Sequence, residues 1–119
     1  MLNLDTHLVV HFLTGNCTER EHHLISRQEI AISDIVLWEL AKLTEHRRLD
    51  MDLESAPFRG FLRRMTVFPI SLEIAIASTQ LDFTSDPADE IIAATSVVQK
   101  IPLLTRDRRI LQSQMVPFP

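Results

Sequence analysis

The chain has 119 residues and a formal net charge of −4. Of these residues 45% are apolar, and only two are glycines. This length fits one compact domain over residues 1–119, and the composition excludes collagen-like, low-complexity and disordered chains. The acidic balance argues against a broadly basic nucleic-acid binder, although ten of the twelve cations are arginines and several of them are clustered.

The sequence shows no sign of export or membrane insertion. Every apolar run is shorter than the roughly 18 residues that a membrane span needs, and no basic segment precedes an apolar one at the start. Cys17 is the only cysteine, which excludes an internal disulfide and a multi-cysteine zinc site. These features predict a soluble cytoplasmic protein without membrane association.

Short apolar segments alternate with helical patterns along the chain. In chain order we predict strand 2–5, helix 7–14, helix 20–28, strand 29–33, helix 34–46, helix 53–65, strand 66–70, helix 71–81, helix 87–100, strand 101–105, helix 107–113 and a possible edge strand 115–118. Ser33 and Asp86 are the expected N-caps of helices 34–46 and 87–100, with Pro87 at the first helical position. The alternation predicts an α/β fold, a three-layer α/β/α sandwich around a central parallel sheet.

Four acids fall where such a sheet could bring them together. Asp5 and Asp107 follow predicted strands and belong at the carboxyl edge of the sheet, where ligands bind in such folds. Glu39 interrupts an apolar helical stripe and should face inward, and Asp89 lies in the first turn of its helix. Each also has an ordinary alternative: Asp5 and Asp107 as helix caps, Asp89 as a first-turn acid and Glu39 as a partly exposed residue.

Clustered carboxylates either take up protons or bind a cation, because like charges about 4 Å apart repel by roughly 4 kcal/mol. Oxygen ligands favour Mg²⁺ or Mn²⁺, and such ions suit phosphodiester hydrolysis by water. Thr6, Ser33 and Thr105 lie beside these positions and could orient the ligands or a metal-bound water, or could simply cap helices.

Other constellations give weaker signals. His7 and His11 have a metal-compatible spacing but no evident third ligand, and Cys17 has no identifiable base. Trp38 could stack on a base, although a place in the core or in a dimer interface is favoured. No glycine-rich phosphate loop is present, which makes a P-loop or Rossmann nucleotide site improbable.

Three segments together resemble a known family: "LNLDTHLVVHFLTG", "AISDIVLWELAKL" and "SDPADEIIAATSVVQKIPLLTRDRRIL". They are similar, in this order, to the segments of PIN-domain ribonucleases, most closely the VapC-type toxins of bacterial toxin–antitoxin pairs. The resemblance implies that Asp5, Glu39, Asp89 and Asp107 are the catalytic, metal-binding acids. It also implies a Mg²⁺- or Mn²⁺-dependent endoribonuclease with RNA as substrate, a homodimer, and inhibition by a small VapB-like antitoxin.

The chain departs from this family in three places. Glu90 stands where relatives often have a basic residue. The chain also ends early, at Pro119, so either a short last strand or a truncated protein is expected. Asp86 adds a second acid near Asp89; we favour Asp89 for the metal, because Asp86 suits the N-cap before Pro87.

The arginines around Asp107 are candidate RNA contacts. Arg106, Arg108 and Arg109 flank this acid and could bind phosphates, or could be ordinary surface residues. The contrasting hypothesis for the whole chain is a non-catalytic α/β module whose acidic groove binds a basic partner peptide.

Overall fold

The computed structural model describes the whole chain, from Met1 to Pro119. Its strands are β1 (Leu2–Leu4), β2 (Ile30–Ser33), β3 (Thr66–Phe68) and β4 (Leu103–Leu104). They form one sheet in the order β3-β2-β1-β4, and all three strand pairs are parallel. The predicted α/β fold with a central parallel sheet is confirmed.

Seven helices connect and flank the strands. They are α1 (Thr6–Leu13), α2 (Glu19–Ser26), α3 (Ile35–Glu45), α4 (Ala56–Arg63), α5 (Leu72–Ser78), α6 (Pro87–Gln99) and α7 (Arg108–Leu111). Each corresponds to a predicted helix, with ends that differ by a few residues. The largest differences are at the start of α4 and the end of α5. Helix α4 begins at residue 56 rather than 53 because the Ser55 side chain caps it by accepting from the Phe58 N–H.

The central strand β1 is covered on both faces. Its three residues, Leu2, Asn3 and Leu4, are all fully buried although successive side chains of a strand point to opposite faces. The buried amide of Asn3 donates to the Ile92 carbonyl and to Ser96 Oγ, both on α6. These bonds fix α6 over the sheet, and with it the acid in the first turn of that helix.

Two local predictions are wrong. Residues 115–118 form no strand, because prolines at positions 117 and 119 lack the N–H groups that an edge ladder needs; only the Pro117 carbonyl pairs, with the Leu103 N–H. Ser33 is the last residue of β2 and not an N-cap: Asp34 takes the cap position of α3, without a side-chain capping bond.

The helices are short. The longest, α6, has 13 residues, and no helix of the protein has the length and apolar character to cross a bilayer.

Candidate active site

The strand order creates a crevice between the carboxyl ends of β1 and β4. From β1 the chain adds β2 and then β3 on one side, and later returns to place β4 on the other side of β1. Such a reversal of strand order is where ligands bind in open α/β sheets. Asp5 directly follows β1 and Thr105 directly follows β4, and Thr105 Oγ1 donates a hydrogen bond to Asp5 Oδ2.

Asp5 is both a helix cap and a member of this crevice. Its Oδ1 accepts from the Leu8 N–H at 2.8 Å, which caps α1, and its side chain is buried, with the residue only 5% exposed. Burial raises the pKa of the Asp5 carboxyl, against the lowering effect of the bonds from Thr105 and Leu8. The capping alternative is therefore confirmed, and the same residue also lines a cavity at the crevice.

Glu39 faces inward from α3, as its interruption of the apolar stripe predicts. The residue is half-buried, and its Oε1 accepts a hydrogen bond from Thr6 Oγ1 at the start of α1. Burial raises the pKa of the Glu39 carboxyl, and the negative charges of Asp89 and Asp5 raise it further. The contribution of Asp89 and Asp5 shows that the three acids share one electrostatic environment.

Asp89 is held by a serine that the sequence analysis missed. Ser85 Oγ donates to Asp89 Oδ2 at 3.0 Å, and the Ser85 N–H approaches Glu90 Oε2 at 3.4 Å. Burial raises the pKa of the Asp89 carboxyl, and the negative charges of Asp107 and Asp86 raise it further. The sequence could have indicated this contact, because Ser85 lies four residues before Asp89, on the turn that leads into α6.

Asp107 caps α7 and still belongs to the acidic cluster. Its Oδ1 accepts from the N–H groups of Arg109, at 2.8 Å, and Ile110, at 3.2 Å, while its own N–H donates to Thr105 Oγ1 at 3.0 Å. Its charge reaches Asp89, whose pKa it raises. Thr105 thus links the acids that follow β1 and β4.

Three adjoining cavities open over these acids. One of about 670 Å³ is lined by Asp86, Asp89 and Asp107, one of about 310 Å³ contains Glu39, and one of about 290 Å³ contains Asp5. Asp86 lines the first two, His7 the second and third, and Asp107 the first and third. The acids therefore border one continuous, open groove.

The donor set fits a hard divalent cation that keeps several waters. Thr6 binds one oxygen of Glu39, Ser85 one of Asp89, and backbone N–H groups one of Asp107, so the second oxygen of each carboxylate has no hydrogen-bond donor within the protein. As the side chains stand in this structure, no three His, Cys, Asp or Glu residues lie close enough together to hold a metal ion by themselves, so waters and substrate would have to complete its coordination. An open set of oxygen ligands is the arrangement that Mg²⁺ tolerates best.

The residues predicted to orient the acids divide into two groups. Thr6 and Thr105 each donate to one of the acids. Ser33 contacts none of them: its buried Oγ accepts from the Ile35 N–H at 3.2 Å, within its own turn. Asp86 occupies the N-cap position of α6 as predicted, but its side chain makes no capping bond and instead lines the groove.

The three arginines near Asp107 have different surroundings. Arg106 donates to both carboxylate oxygens of Glu21 and to the Asn16 carbonyl, so most of its donors are already used. Arg109 donates to the Thr84 carbonyl at 3.1 Å, while Arg108 is exposed at the rim of the largest cavity. His7, which we had considered only as part of a histidine metal site, lies beside the acids and its charge lowers the pKa of Asp5, Glu39 and Asp89.

This fold and its acidic groove define a PIN domain: residues 3–114 match the PIN domain family, and the chain belongs to that family. The chain is 32% identical over 97 residues to Ribonuclease VapC22 of Mycobacterium tuberculosis (strain ATCC 25618 / H37Rv). The aligned region covers 76% of this chain and 72% of that protein. The resemblance to VapC-type PIN domains is confirmed.

Solved structures of other proteins share the fold. A toxin–antitoxin complex from Klebsiella pneumoniae has a TM-score of 0.72 at 19% identity, covering 94% of this chain and 91% of that one. VapBC2 from Rickettsia felis, bound to a DNA fragment from its promoter, also has a TM-score of 0.72, at 17% identity, covering 100% of this chain and 98% of that one.

Proposed function

We propose that this PIN domain is a Mg²⁺- or Mn²⁺-dependent endoribonuclease and the toxin of a type II toxin–antitoxin pair. The observation that carries the proposal is the groove itself, where burial raises the pKa of Asp5, Glu39 and Asp89 and no lysine or arginine pairs with them. Buried carboxylates without a cation are unfavourable unless an external cation neutralises them. The likeness to Ribonuclease VapC22 supports RNA as the substrate.

Each part of the groove has a role in phosphodiester hydrolysis. Asp5, Glu39, Asp89 and Asp107 would hold the divalent ion, which when bound supplies activation of a water and stabilisation of charge on the phosphate. Thr6, Thr105 and Ser85 keep three of these carboxylates in fixed orientations. Arg108, exposed beside Asp107, is positioned to attract the phosphate backbone. Hydrolysis by water requires no covalent enzyme intermediate.

The proposed partners are a VapB-like antitoxin and a second copy of the chain. Solved structures with this fold include toxin–antitoxin complexes, which supports an antitoxin as partner. A homodimer is supported by an apolar surface on and before α5, where Leu72 is 73% exposed, Ile76 48% and Ile70 42%. Large apolar side chains clustered in this way mark interaction surfaces.

Cleavage of RNA by the purified, antitoxin-free protein tests the proposal. We expect cleavage with Mg²⁺ or Mn²⁺, none with EDTA, and about 10³-fold slower cleavage by Asp5→Asn. Asp50→Asn makes the same chemical change at an exposed aspartate outside the groove and should retain activity. Equal cleavage in EDTA, or by Asp5→Asn, would contradict the proposal. If a basic peptide bound the groove while neither metal binding nor cleavage occurred, the non-catalytic module would be the correct interpretation.

A further inference from the structure

The cavity that contains Glu39 is also lined by an aromatic ring and by basic side chains. Its volume is about 310 Å³, and its lining includes Trp38, Lys42, His46 and Arg48. We call it the Trp38 cavity. It joins the larger acidic cavity through Asp86, which lines both. A ligand in the Trp38 cavity would therefore lie directly beside the acids of the proposed metal site.

Trp38 is accessible on the surface of α3. The residue is 56% exposed, while Val36 and Leu40, two positions away on either side, are buried. Of the two places favoured for Trp38 from the sequence, the core is therefore wrong, and a dimer interface stays a prediction. Lys42 Nζ lies 5.9 Å from the centroid of its ring, one helical turn further along. The ammonium lies over the ring, so the exposed surface of Trp38 offers a nucleobase an aromatic face with a positive charge close by.

The basic side chains follow Glu39 along the same helix and the turn after it. Lys42 and His46 are three and seven residues beyond Glu39, so they continue its helical face. The C-terminal turn of α3 then brings Arg48 to the cavity: Arg47 has a left-handed backbone with φ of 58°, and the Arg48 N–H donates to the Leu43 carbonyl at 2.8 Å. One end of the cavity is thus acidic and the other basic.

The basic end is available to an anion. Its internal partner is Glu45, which contacts Lys42 at 3.3 Å and His46 at 3.6 Å. All three side chains are at least 46% exposed, and ion pairs in such surroundings are weak. A phosphate can therefore replace Glu45 at Lys42, while Arg48 forms no salt bridge at all.

We propose that the Trp38 cavity is a subsite for single-stranded RNA, in which a base next to the scissile phosphate stacks on Trp38 and its phosphate contacts Lys42 and Arg48. This inference rests on the proposed ribonuclease function and specifies how the same groove holds its substrate. Stacking on an aromatic ring accepts any base but requires it to be unpaired. The subsite therefore selects single strands over duplexes without reading sequence.

Substitutions at the subsite should change binding more than the chemical step. Trp38→Ala should raise KM for single-stranded RNA by about 5- to 150-fold with little change in kcat, and Trp38→Phe should restore most of the loss. Lys42→Ala and Arg48→Ala should each reduce the slope of log affinity against log salt by about 0.7. Arg63→Ala removes an exposed arginine that lines none of the three cavities of the groove and should change neither KM nor the slope.

Tryptophan fluorescence tests the stacking contact directly, because the chain has one tryptophan and no tyrosine. The titration uses the Asp5→Asn protein, which prevents turnover and leaves the cavity residues in place. We expect a short single-stranded oligoribonucleotide to quench the Trp38 emission. The same sequence as a blunt duplex carries more phosphate but no free bases, and should quench far less.

The outcomes separate this inference from the ribonuclease proposal. Quenching by the single strand in a protein that never cleaves RNA would support the subsite and contradict the nuclease. Normal cleavage, together with unchanged Trp38 emission at saturating single strand and an unchanged KM for Trp38→Ala, would overturn the subsite alone. Emission that shifts with protein concentration and not with RNA would also overturn it, because a second copy of the chain would then cover Trp38.

Discussion

Two buried carboxylates of this protein have opposite electrostatic surroundings. Asp5 is 5% exposed and accepts hydrogen bonds only from neutral groups, and burial raises its pKa. Glu21 is 6% exposed, but Arg106 donates to both of its oxygens, at 2.6 and 2.7 Å, and holds its pKa at about 2. The comparison shows that an arginine neutralises the structural acid, whereas no lysine or arginine pairs with the groove acids.

The two environments are close together in the chain. Arg106 lies between Thr105, which donates to Asp5, and Asp107, which caps α7. Its pair with Glu21 joins the segment after β4 to α2, so the structural acid helps to hold the segment that carries part of the groove. Replacing one acid or the other should therefore separate effects on chemistry from effects on folding.

The largest expected difference between substitutions of Asp5 and of Glu21 is in the rate of RNA cleavage. Asp5→Asn removes a groove carboxylate and should lower RNA cleavage about 10³-fold, which corresponds to the several kcal/mol that a bound metal contributes to the transition state. Glu21→Gln, assayed below its melting temperature, should lower cleavage less than about tenfold, because Glu21 touches none of the groove acids. Rates measured on one RNA for both variants test this. Similar losses in both would remove the distinction between the two acids.

The next largest effect is on stability, which the two substitutions should change in opposite directions. Glu21→Gln should lower the free energy of unfolding by about 2 kcal/mol, less than for a fully buried pair because Arg106 is 41% exposed on its side chain. Asp5→Asn should raise the stability of the metal-free protein at neutral pH by about 1 kcal/mol, since it removes a buried charge. Urea denaturation in EDTA measures both changes. A loss of stability in Asp5→Asn would mean that its carboxylate is already neutralised within the protein.

The pH dependence follows from the directions of the pKa shifts. The folded pKa values of Asp5, Glu39 and Asp89 are raised, so their stabilising contribution is present below the reference values of 3.8 to 4.5 and is lost as pH rises through the folded pKa values. Glu21 behaves oppositely: its contribution is present above 4.5 and is lost as pH falls through about 2. The gain in the free energy of unfolding that Asp5→Asn gives at neutral pH should therefore become smaller as pH falls to about 4, as measured by urea titrations. An advantage that grew toward acid pH would contradict the assignment.

A smaller effect is expected where a neutral side chain orients a groove acid. Ser85→Ala removes the donor to Asp89 and should lower Mn²⁺ affinity about tenfold, as for other groups that orient metal ligands. Ser78→Ala is the matched control, because Ser78 Oγ donates only to the Ala75 carbonyl of its own helix. Metal titrations of both variants give the comparison. Equal affinities would show that Ser85 does not orient Asp89.

The smallest expected effect is a change in stability that leaves RNA cleavage unaltered. Lys100 ends α6 with a left-handed backbone, φ of 56°, which glycine adopts without strain. Lys100→Gly should raise the free energy of unfolding by about 0.5 to 1 kcal/mol and leave cleavage unchanged. Thermal unfolding and the RNA assay check the two parts. A change in cleavage would show that stability alone alters the groove, and would weaken the interpretation of the other variants.

Much of the fold was predictable because the sequence pattern is regular. Apolar strand segments alternating with helical patterns give the elements and their order, and the position of an acid after a strand places Asp5 and Asp107 at one sheet edge. The segment 115–118 was misassigned because its apolar character outweighed its prolines, although Val116 is buried without forming a ladder.

The contacts of the site were less predictable than its members. The pairing of Arg106 with Glu21 joins residues that are 85 positions apart, and no local pattern specifies which arginine of a cluster finds a buried acid. The exposure of Trp38 depends on which side of α3 faces the sheet, and its periodicity was also compatible with a core position. Ser85 was missed because a single serine before a helix is most often a cap.

Calorimetric titration with Mn²⁺ at neutral pH tests the central claim most directly. Wild-type protein should bind Mn²⁺ in the absence of RNA and antitoxin, Asp5→Asn should bind it at least about tenfold more weakly, and Glu21→Gln should bind it as the wild type does. This result would show that the groove carboxylates are left without a cation in order to hold a metal. Absence of Mn²⁺ binding by the folded wild-type protein, or equal binding by Asp5→Asn, would contradict the account.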